Sequence, residues 1–263
     1  MIKKIKLFIN NNDKSKYTAE LVAKSLESKG FIIDENNFDL AIAIGGDGSF
    51  LRMIKNTNFN SDKYYIGINS GTLGFLQEIK VDNINEFVDE LLKNEYKVEE
   101  IGIQETTIFH NNSSSKYYSL NEIIVRDKDL KVVKLDIKID GDLLEKYIGD
   151  GLLVATSSGS TAHNLSYGGS IVYNTFTSLQ ITPMAPINTK VYRSLLNSVI
   201  VPDKKIISLT PDNNELLVTI DGDNNIYKNV ENIETKIDNK KIKCLRLSHY
   251  NFPEKINEKL LID

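Results

Sequence analysis

The sequence predicts an α/β half followed by a β-rich half. Strand and helix signals alternate through Tyr96, and after it the apolar runs become short, separate strands. Each half also carries one loop of glycine and hydroxyl residues, Ile44 to Ser49 in the first and Gly149 to Gly169 in the second. The boundaries expected are 1–100 for the α/β domain, 101–245 for the β-rich domain and 246–263 for a C-terminal segment.

Taken in order, Ile5 to Ile9 reads as a strand and Ser15 to Lys29 as a helix stopped by Gly30. A short strand is read at Phe31 to Ile33. Leu40 to Ile44 is a continuous apolar run, the pattern of a parallel strand buried on both faces. A helix from about Phe50 and a strand at Tyr64 to Ile68 follow. Ile84, Phe87, Val88, Leu91 and Leu92 share one helical face, with Asp82 as the expected N-cap. Beyond Tyr96, strands are expected at Thr106 to Phe109, Tyr117 to Val125, Val132 to Ile139 and Leu216 to Ile220. Asn111 to Ser115 reads as a hairpin loop and Asp140-Gly141 as a tight turn. Thr161 to Tyr167, Val191 to Asn197 and the tail beyond Phe252, with Pro253 in its first turn, read as helices.

Composition narrows the function. The 263 residues carry a net charge of −4, which gives no footprint for nucleic acid. Anionic ligands must therefore be held by local amides, helix ends and a metal. The single cysteine, Cys244, excludes an internal disulfide and fits a reducing cytoplasm. Together with three histidines it cannot build an ordinary four-ligand zinc site. No run is apolar and long enough for a membrane helix, and MIKKIKLFIN is too short and strand-like for a signal peptide. A soluble cytoplasmic protein is expected.

In IGGDGS, two glycines let the backbone turn tightly before a helix whose free N–H groups favour phosphate. Asp47 repels phosphate, so it suits a base that takes a hydroxyl proton, a magnesium ligand, or both. The plain alternative is a turn with a helix-capping aspartate. In the second stretch, GDGLLVATSSGSTAHNLSYGG reads as an acidic turn at Asp150, a strand at Leu152 to Ala155, a hydroxyl loop at Ser157 to Thr161, then a helix ended by Gly168. Ser160 as a simple cap explains only part of that run. Asn121-Glu122 offers an amide and a carboxylate side by side, suited to a ribose and an adenine, or else two edge-strand groups facing water.

GGDGS at Gly45 to Ser49, LGF at Leu73 to Phe75, Asn121-Glu122 and the long second motif together resemble the ATP-NAD kinases of bacterial type. TPMAPIN at Thr182 to Asn188 and IDGD at Ile220 to Asp223 extend the resemblance over nearly the whole chain. GGDG alone is shared with diacylglycerol and sphingosine kinases and, more loosely, with phosphofructokinases. The resemblance implies a Rossmann-like α/β domain, a β-sandwich-like domain and a C-terminal tail returning to the first. It implies transfer of the γ-phosphate of ATP (polyphosphate in some members) to the 2′-hydroxyl of the adenosine ribose of NAD, with Mg2+ or another divalent metal, to give NADP. No dedicated protein ligand for the metal is assigned.

By the same resemblance Asp47 takes the ribose proton, with Gly48 beside it, and Arg52 meets phosphate. Phe75 lies against a ring. Asn121 and Glu122 bond the adenosine and the nicotinamide ribose, and Asp150 contacts the nicotinamide end or a neighbouring base. Ser158, Thr161, Ala162, His163, Asn164, Leu165 and Ser166 line the dinucleotide pocket. Ala185 and Ile187 reach a neighbouring subunit of a dimer or tetramer. His163 stands where tyrosine is common, Ser157 where proline often precedes the second hydroxyl, Ile148 where some members carry a basic residue, and Asp223 where glutamine is frequent. Two other readings also fit the sequence: a lipid kinase sharing the GGDG loop, and a dinucleotide sensor without turnover.

Overall fold

The computed structural model describes residues 2–71, 74–212 and 215–261. Leu73, which opens the LGF motif, lies outside the described residues. The chain divides into two units, Met1–Glu100 with Ile242–Asp263, and Ile101–Lys241.

The first unit is α/β. Its parallel strands β1 (Lys4–Ile9), β2 (Ile32–Ile33), β3 (Leu40–Gly45) and β4 (Tyr64–Asn69) lie in the order β2-β1-β3-β4. Every residue of β3 is buried, which is what its unbroken apolar run requires. Helix α1 (Asp13–Ser28) starts two residues earlier than the apolar pattern suggests. The cap responsible is Asn12, whose Oδ1 accepts the Ser15 amide at 2.8 Å. Helix α2 (Asp47–Asn56) starts directly after the glycine turn rather than at Phe50. After the short strand β5 (Ile79–Lys80), Val81–Asn83 forms a 3₁₀ turn and α3 (Ile84–Lys93) follows. Asp82 therefore sits inside the 3₁₀ turn, and Asn83 takes the cap position instead. Val22 and Leu26 of α1 join Phe87, Val88 and Leu91 of α3 and Ile42 and Ile44 of β3 in one core.

The second unit is β-rich. The chain enters it within β6 (Tyr96–His110) and continues through β7 (Ser113–Ser119), β8 (Glu122–Asp127), β9 (Val133–Ile139), β10 (Asp142–Thr156) and β11 (Ser178–Pro186). Then come β12 (Val199–Pro202), β13 (Ile207–Pro211), β14 (Glu215–Ile220), β15 (Asp223–Lys228) and β16 (Val230–Leu247). Strand β10 organises the unit: its first half pairs with β9, and its second half lies between β8 and β11, all antiparallel. Ile123, Val125, Leu135, Ile137, Leu152, Val154, Leu179 and Val218 form the core against these strands. The end of β16 returns to the first unit, where Lys243 and Cys244 pair in parallel with Tyr64 and Tyr65 of β4. Helix α5 (Phe252–Leu260) follows, with proline at its first turn.

Four local expectations give way to longer-range contacts. The strand expected over Tyr117–Val125 breaks between β7 and β8, because the Asp221 carboxylate takes the amides of Leu120, Asn121 and Glu122. The hairpin loop narrows to Asn111-Asn112, both left-handed at φ 50° and 57°. Gly149–Gly151 is no turn but the middle of β10: a Cβ on Gly149 would lie 2.1 Å from the Tyr147 hydroxyl, and one on Gly151 2.8 Å from Arg126 Cγ. Val191–Asn197 is not helical. The Val191 and Tyr192 amides bond Thr189 Oγ1, and the Leu195 amide bonds Glu145, leaving no helical ladder.

Candidate active site

In the first unit the site residues gather around the turn from β3 into α2. Gly45 has φ +152°, and a Cβ there would lie 2.3 Å from Ser49 Oγ, so the turn needs glycine. Gly46 caps α2 without a side chain, and Asp47, half-buried, does not cap the helix. Its carboxylate instead accepts the amide of Phe75 at 2.8 Å and that of Leu76 at 3.0 Å. Gly74 admits this approach, since a Cβ there would collide with the same carboxylate. Two of the roughly four acceptor directions of a carboxylate are thus used, and the rest can take a hydroxyl proton. Gln77 ties this segment to the turn by donating Nε2 to the Gly46 carbonyl at 2.7 Å, while its Oε1 has no hydrogen-bond partner among the described residues.

Gly48 is exposed on the first turn of α2. Exposed Arg52 donates to Asn10 Oδ1 at 2.9 Å and Ser49 Oγ at 3.1 Å, which places a guanidinium beside the helix N-terminus. Amides and cation together favour an anion at this corner.

The second unit brings together Asn121, Glu122, Ser158 and His163. Asn121 and Glu122 are 6% and 5% exposed, so they are not edge groups facing water. Thr156 fixes the chain before them, its amide donating to the Asn121 carbonyl at 2.8 Å and its hydroxyl to the Leu120 carbonyl. Gly159 packs on the Asn121 backbone so closely that a Cβ would lie 2.0 Å from the carbonyl oxygen. The two motifs are therefore one construction.

Its polar atoms are incompletely used. Asn121 Oδ1, Glu122 Oε2 and Ser158 Oγ are buried with no hydrogen-bond partner among the described residues. Buried polar groups are nearly always paired, so three orphans on two segments packed against each other suit a polar ligand. Burial, and then the Asp221 charge, push the Glu122 carboxyl up to about 8. The other Glu122 oxygen faces His163 Nδ1 at 3.7 Å, and that ring is exposed. Asp221 is the residue of this construction that local motif reading passes over. It takes three consecutive backbone amides while burial holds its own carboxyl up at about 6. The only local signal for it is the Asp-Gly hairpin within IDGD.

The remaining expected residues fall into distinct settings. The loop forms a 3₁₀ turn (Ser158–Thr161) and then the short helix α4 (His163–Ser166). Ser160 does not cap α4: its hydroxyl accepts the Val172 amide at 3.0 Å. Thr161, Ala162 and Leu165 are half-buried, and Ser166 and Asp150 are exposed. Asn164 is fully buried and spends its amide inside the unit, accepting from Thr182 Oγ1 at 2.6 Å and donating to Gln180. Ala185 is exposed with φ 45°, and the Ile187 amide donates to the Ile148 carbonyl at 2.8 Å. Ile148 is buried, so no charge is offered at that position. The Ser157 hydroxyl bonds the Phe176 carbonyl and Ser178 rather than facing outward. The one group of three metal-capable side chains among the described residues, Glu86, Glu90 and His249, includes no residue of the Asp47 turn.

Two family models match this architecture, the ATP-NAD kinase N-terminal domain over residues 5–96 and the ATP-NAD kinase C-terminal domain over residues 120–239. The chain belongs to the ATP-NAD kinase family. It is 43% identical over 238 residues to an NAD kinase of Finegoldia magna, covering 86% of each chain. It is 32% identical to NAD kinase 1 of Halalkalibacterium halodurans, covering 96% of each. Among solved structures it shares the fold of a yeast NADH kinase complexed with NADH, at TM-score 0.86 and 21% identity over 98% of this chain and 87% of that one. An Archaeoglobus fulgidus NAD kinase in complex with ATP aligns at TM-score 0.78 and 18% identity over 97% of both chains. The ATP-NAD kinase match over 120–239 covers the half that a lipid-kinase reading leaves without a task. No described helix is long and apolar enough to cross a membrane.

Proposed function

We propose that this chain is an NAD kinase, transferring the γ-phosphoryl group of ATP to the 2′-hydroxyl of the adenosine ribose of NAD. The observation that carries the reading is the trio of orphaned buried atoms on Asn121, Glu122 and Ser158 in a chain of this family. A dinucleotide supplies what they lack: ribose hydroxyls and base edges that both donate and accept. A Glu122 carboxyl with its pKa at about 8 is largely protonated at neutral pH, so it can donate to one ligand oxygen while accepting from another.

Asp47 acts as the general base. Its orientation by two backbone amides fixes where the ribose proton is received. Arg52 and the first amides of α2 offer positive charge to phosphate. Phosphoryl transfer needs in-line placement and charge neutralisation more than covalent help. The divalent ion enters as part of the substrate, Mg-ATP, and neutralises charge on the transferring phosphoryl group. Phe75, Asp150, Thr161, Ala162, His163, Leu165 and Ser166 complete the nucleotide contacts, with Asn164 shaping the loop from within. Ala185 and Ile187 are assigned to contacts with another copy in a dimer or tetramer, and the protein is placed in the cytoplasm.

The test is turnover of purified protein with NAD and Mg-ATP, with product read by an NADP-specific dehydrogenase. NADP formation is expected. Folded protein that binds NAD yet forms no NADP would overturn the kinase reading in favour of a sensor.

A further inference from the structure

A buried cluster of charge in the first unit lies outside the proposed set of nucleotide contacts. Lys255 on α5 is 7% exposed, and its Nζ donates to the Gln77 carbonyl at 2.6 Å and faces Glu78 Oε2 at 3.5 Å. Arg246, near the end of β16, meets the same Glu78 at 3.3 Å and also pairs with Glu99. Both cations lie over the Tyr250 ring, at 4.7 Å for Arg246 and 5.4 Å for Lys255. Stability alone is a poor reason for such a cluster, because well-packed apolar residues often hold a core as well as buried ion pairs do.

What the cluster holds is the segment that holds Asp47. Phe75 and Leu76 give their amides to the Asp47 carboxylate, and Gln77 gives Nε2 to the Gly46 carbonyl. The backbone carbonyl of that same Gln77 is the acceptor for Lys255. A continuous line of hydrogen bonds therefore runs from α5 through Gln77 to the turn that carries Asp47. We propose that Lys255 is a positioning residue for Asp47: from the returning helix it fixes Phe75–Glu78, whose amides aim the carboxylate. This rests on the NAD kinase reading above.

The charge state of Lys255 supports the assignment. Burial lowers it to about 8 from the usual 10.5, Glu78 opposes the drop, Arg246 adds to it, and Asp47 opposes it. The charged and titratable groups around it are Glu78, Arg246 with Glu99, Tyr250, Cys244 and Asp47, with Lys80, His249, Glu254 and Glu258 lining the adjoining cavity. As pH rises through about 8 the ammonium loses its proton, and Gln77 loses its charged donor. An arginine there would stay charged.

Turnover of wild type, Lys255→Met and Lys255→Arg, measured from pH 6 to 10 beside thermal melts, tests the assignment. Lys255→Met is expected to lower kcat by roughly 10–100-fold, with KM for NAD within about twofold, as misplacement of a catalytic group does. Lys255→Arg is expected to keep most of kcat and to move the alkaline fall in rate upward by about one pH unit or more. Wild-type kcat in Lys255→Met, or an unmoved alkaline fall in Lys255→Arg, would overturn the proposal. The arginine variant carries the test should the methionine variant not fold. The Phe75 and Leu76 amide resonances separate the two readings: they are expected to shift across about pH 8 in wild type and not in Lys255→Arg. If wild type makes no NADP, the kinase reading falls and these resonances still decide the link. If they do not titrate there, the link itself falls.

Discussion

Asp47 and Glu122 are two carboxylates placed under opposite conditions. Asp47 is half-buried and already met by two backbone amides, so its direction is fixed by the first unit alone. Glu122 is almost fully buried, with one oxygen unpartnered among the described residues and its acid strength lowered by burial and by Asp221. The first arrangement suits a group that must point one way throughout a reaction. The second suits a group that waits for a ligand and is uncomfortable until it comes. Under the proposed function, binding and chemistry draw on different physical states of the same functional group.

Replacing the fixed carboxylate is the strongest test of that division. Asp47→Asn retains an acceptor for one of the two amides but removes the base. It is expected to lower kcat by about 10²–10⁴-fold with little change in NAD affinity or melting temperature. Turnover near the wild-type rate would erase the distinction. Next in size is Gly159→Ala, where the added methyl would lie 2.0 Å from the Asn121 carbonyl oxygen and must push the pair aside. A loss of about 1–3 kcal/mol in stability is expected, together with weaker NAD binding by calorimetry. Gly46→Ala, with open space around the added carbon, is the matched control and should melt near wild type. Equal melting of the two variants would show that the fit between the motifs is not tight.

The smallest effect sharpens the contrast through pH. The Glu122 carboxyl titrates near 4.5 unfolded and at about 8 folded, so the folded state is penalised increasingly as pH rises between these values. Below 4.5 the penalty is absent, and above about 8 it is constant. Glu122→Gln removes it, and should therefore stabilise the protein at pH 7, with the gain vanishing toward acid. A loss of stability at pH 7 that disappears toward acid would mean instead that Glu122 is ionised and partnered in the folded protein.

How much of this was legible in the sequence depended on the range of the forces involved. The unbroken apolar run of β3 and the spaced apolar face of α3 came through because burial follows local periodicity. The glycine turn before α2 was legible because a close turn there admits no Cβ at Gly45. Asn121-Glu122 was legible only as an amide beside a carboxylate, its burial being set by the fold. Gly149–Gly151 misled because glycines usually punctuate loops, whereas here they make room for Tyr147 and Arg126 within a strand. Val191–Asn197 misled because its amides go to the side chains of Thr189 and Glu145, which no helical pattern registers. Asp221 lies about a hundred positions from the amides it holds, so its task appears only once β14 and β8 are paired.

The return of β16 and α5 to the first unit also orders events during synthesis. Domains ordinarily fold from the N-terminus as they leave the ribosome. Here residues 101–241 form an uninterrupted unit, whereas the unit begun by the first hundred residues lacks a strand and a helix until Ile242 onward has emerged. While translation proceeds, β4 carries an open edge where Lys243 and Cys244 will later pair, and an open strand edge invites pairing with other chains. A released chain ending at Lys241 should accordingly be cut by protease within residues 1–100 while 101–241 resists. The last segment made is the one that closes the first.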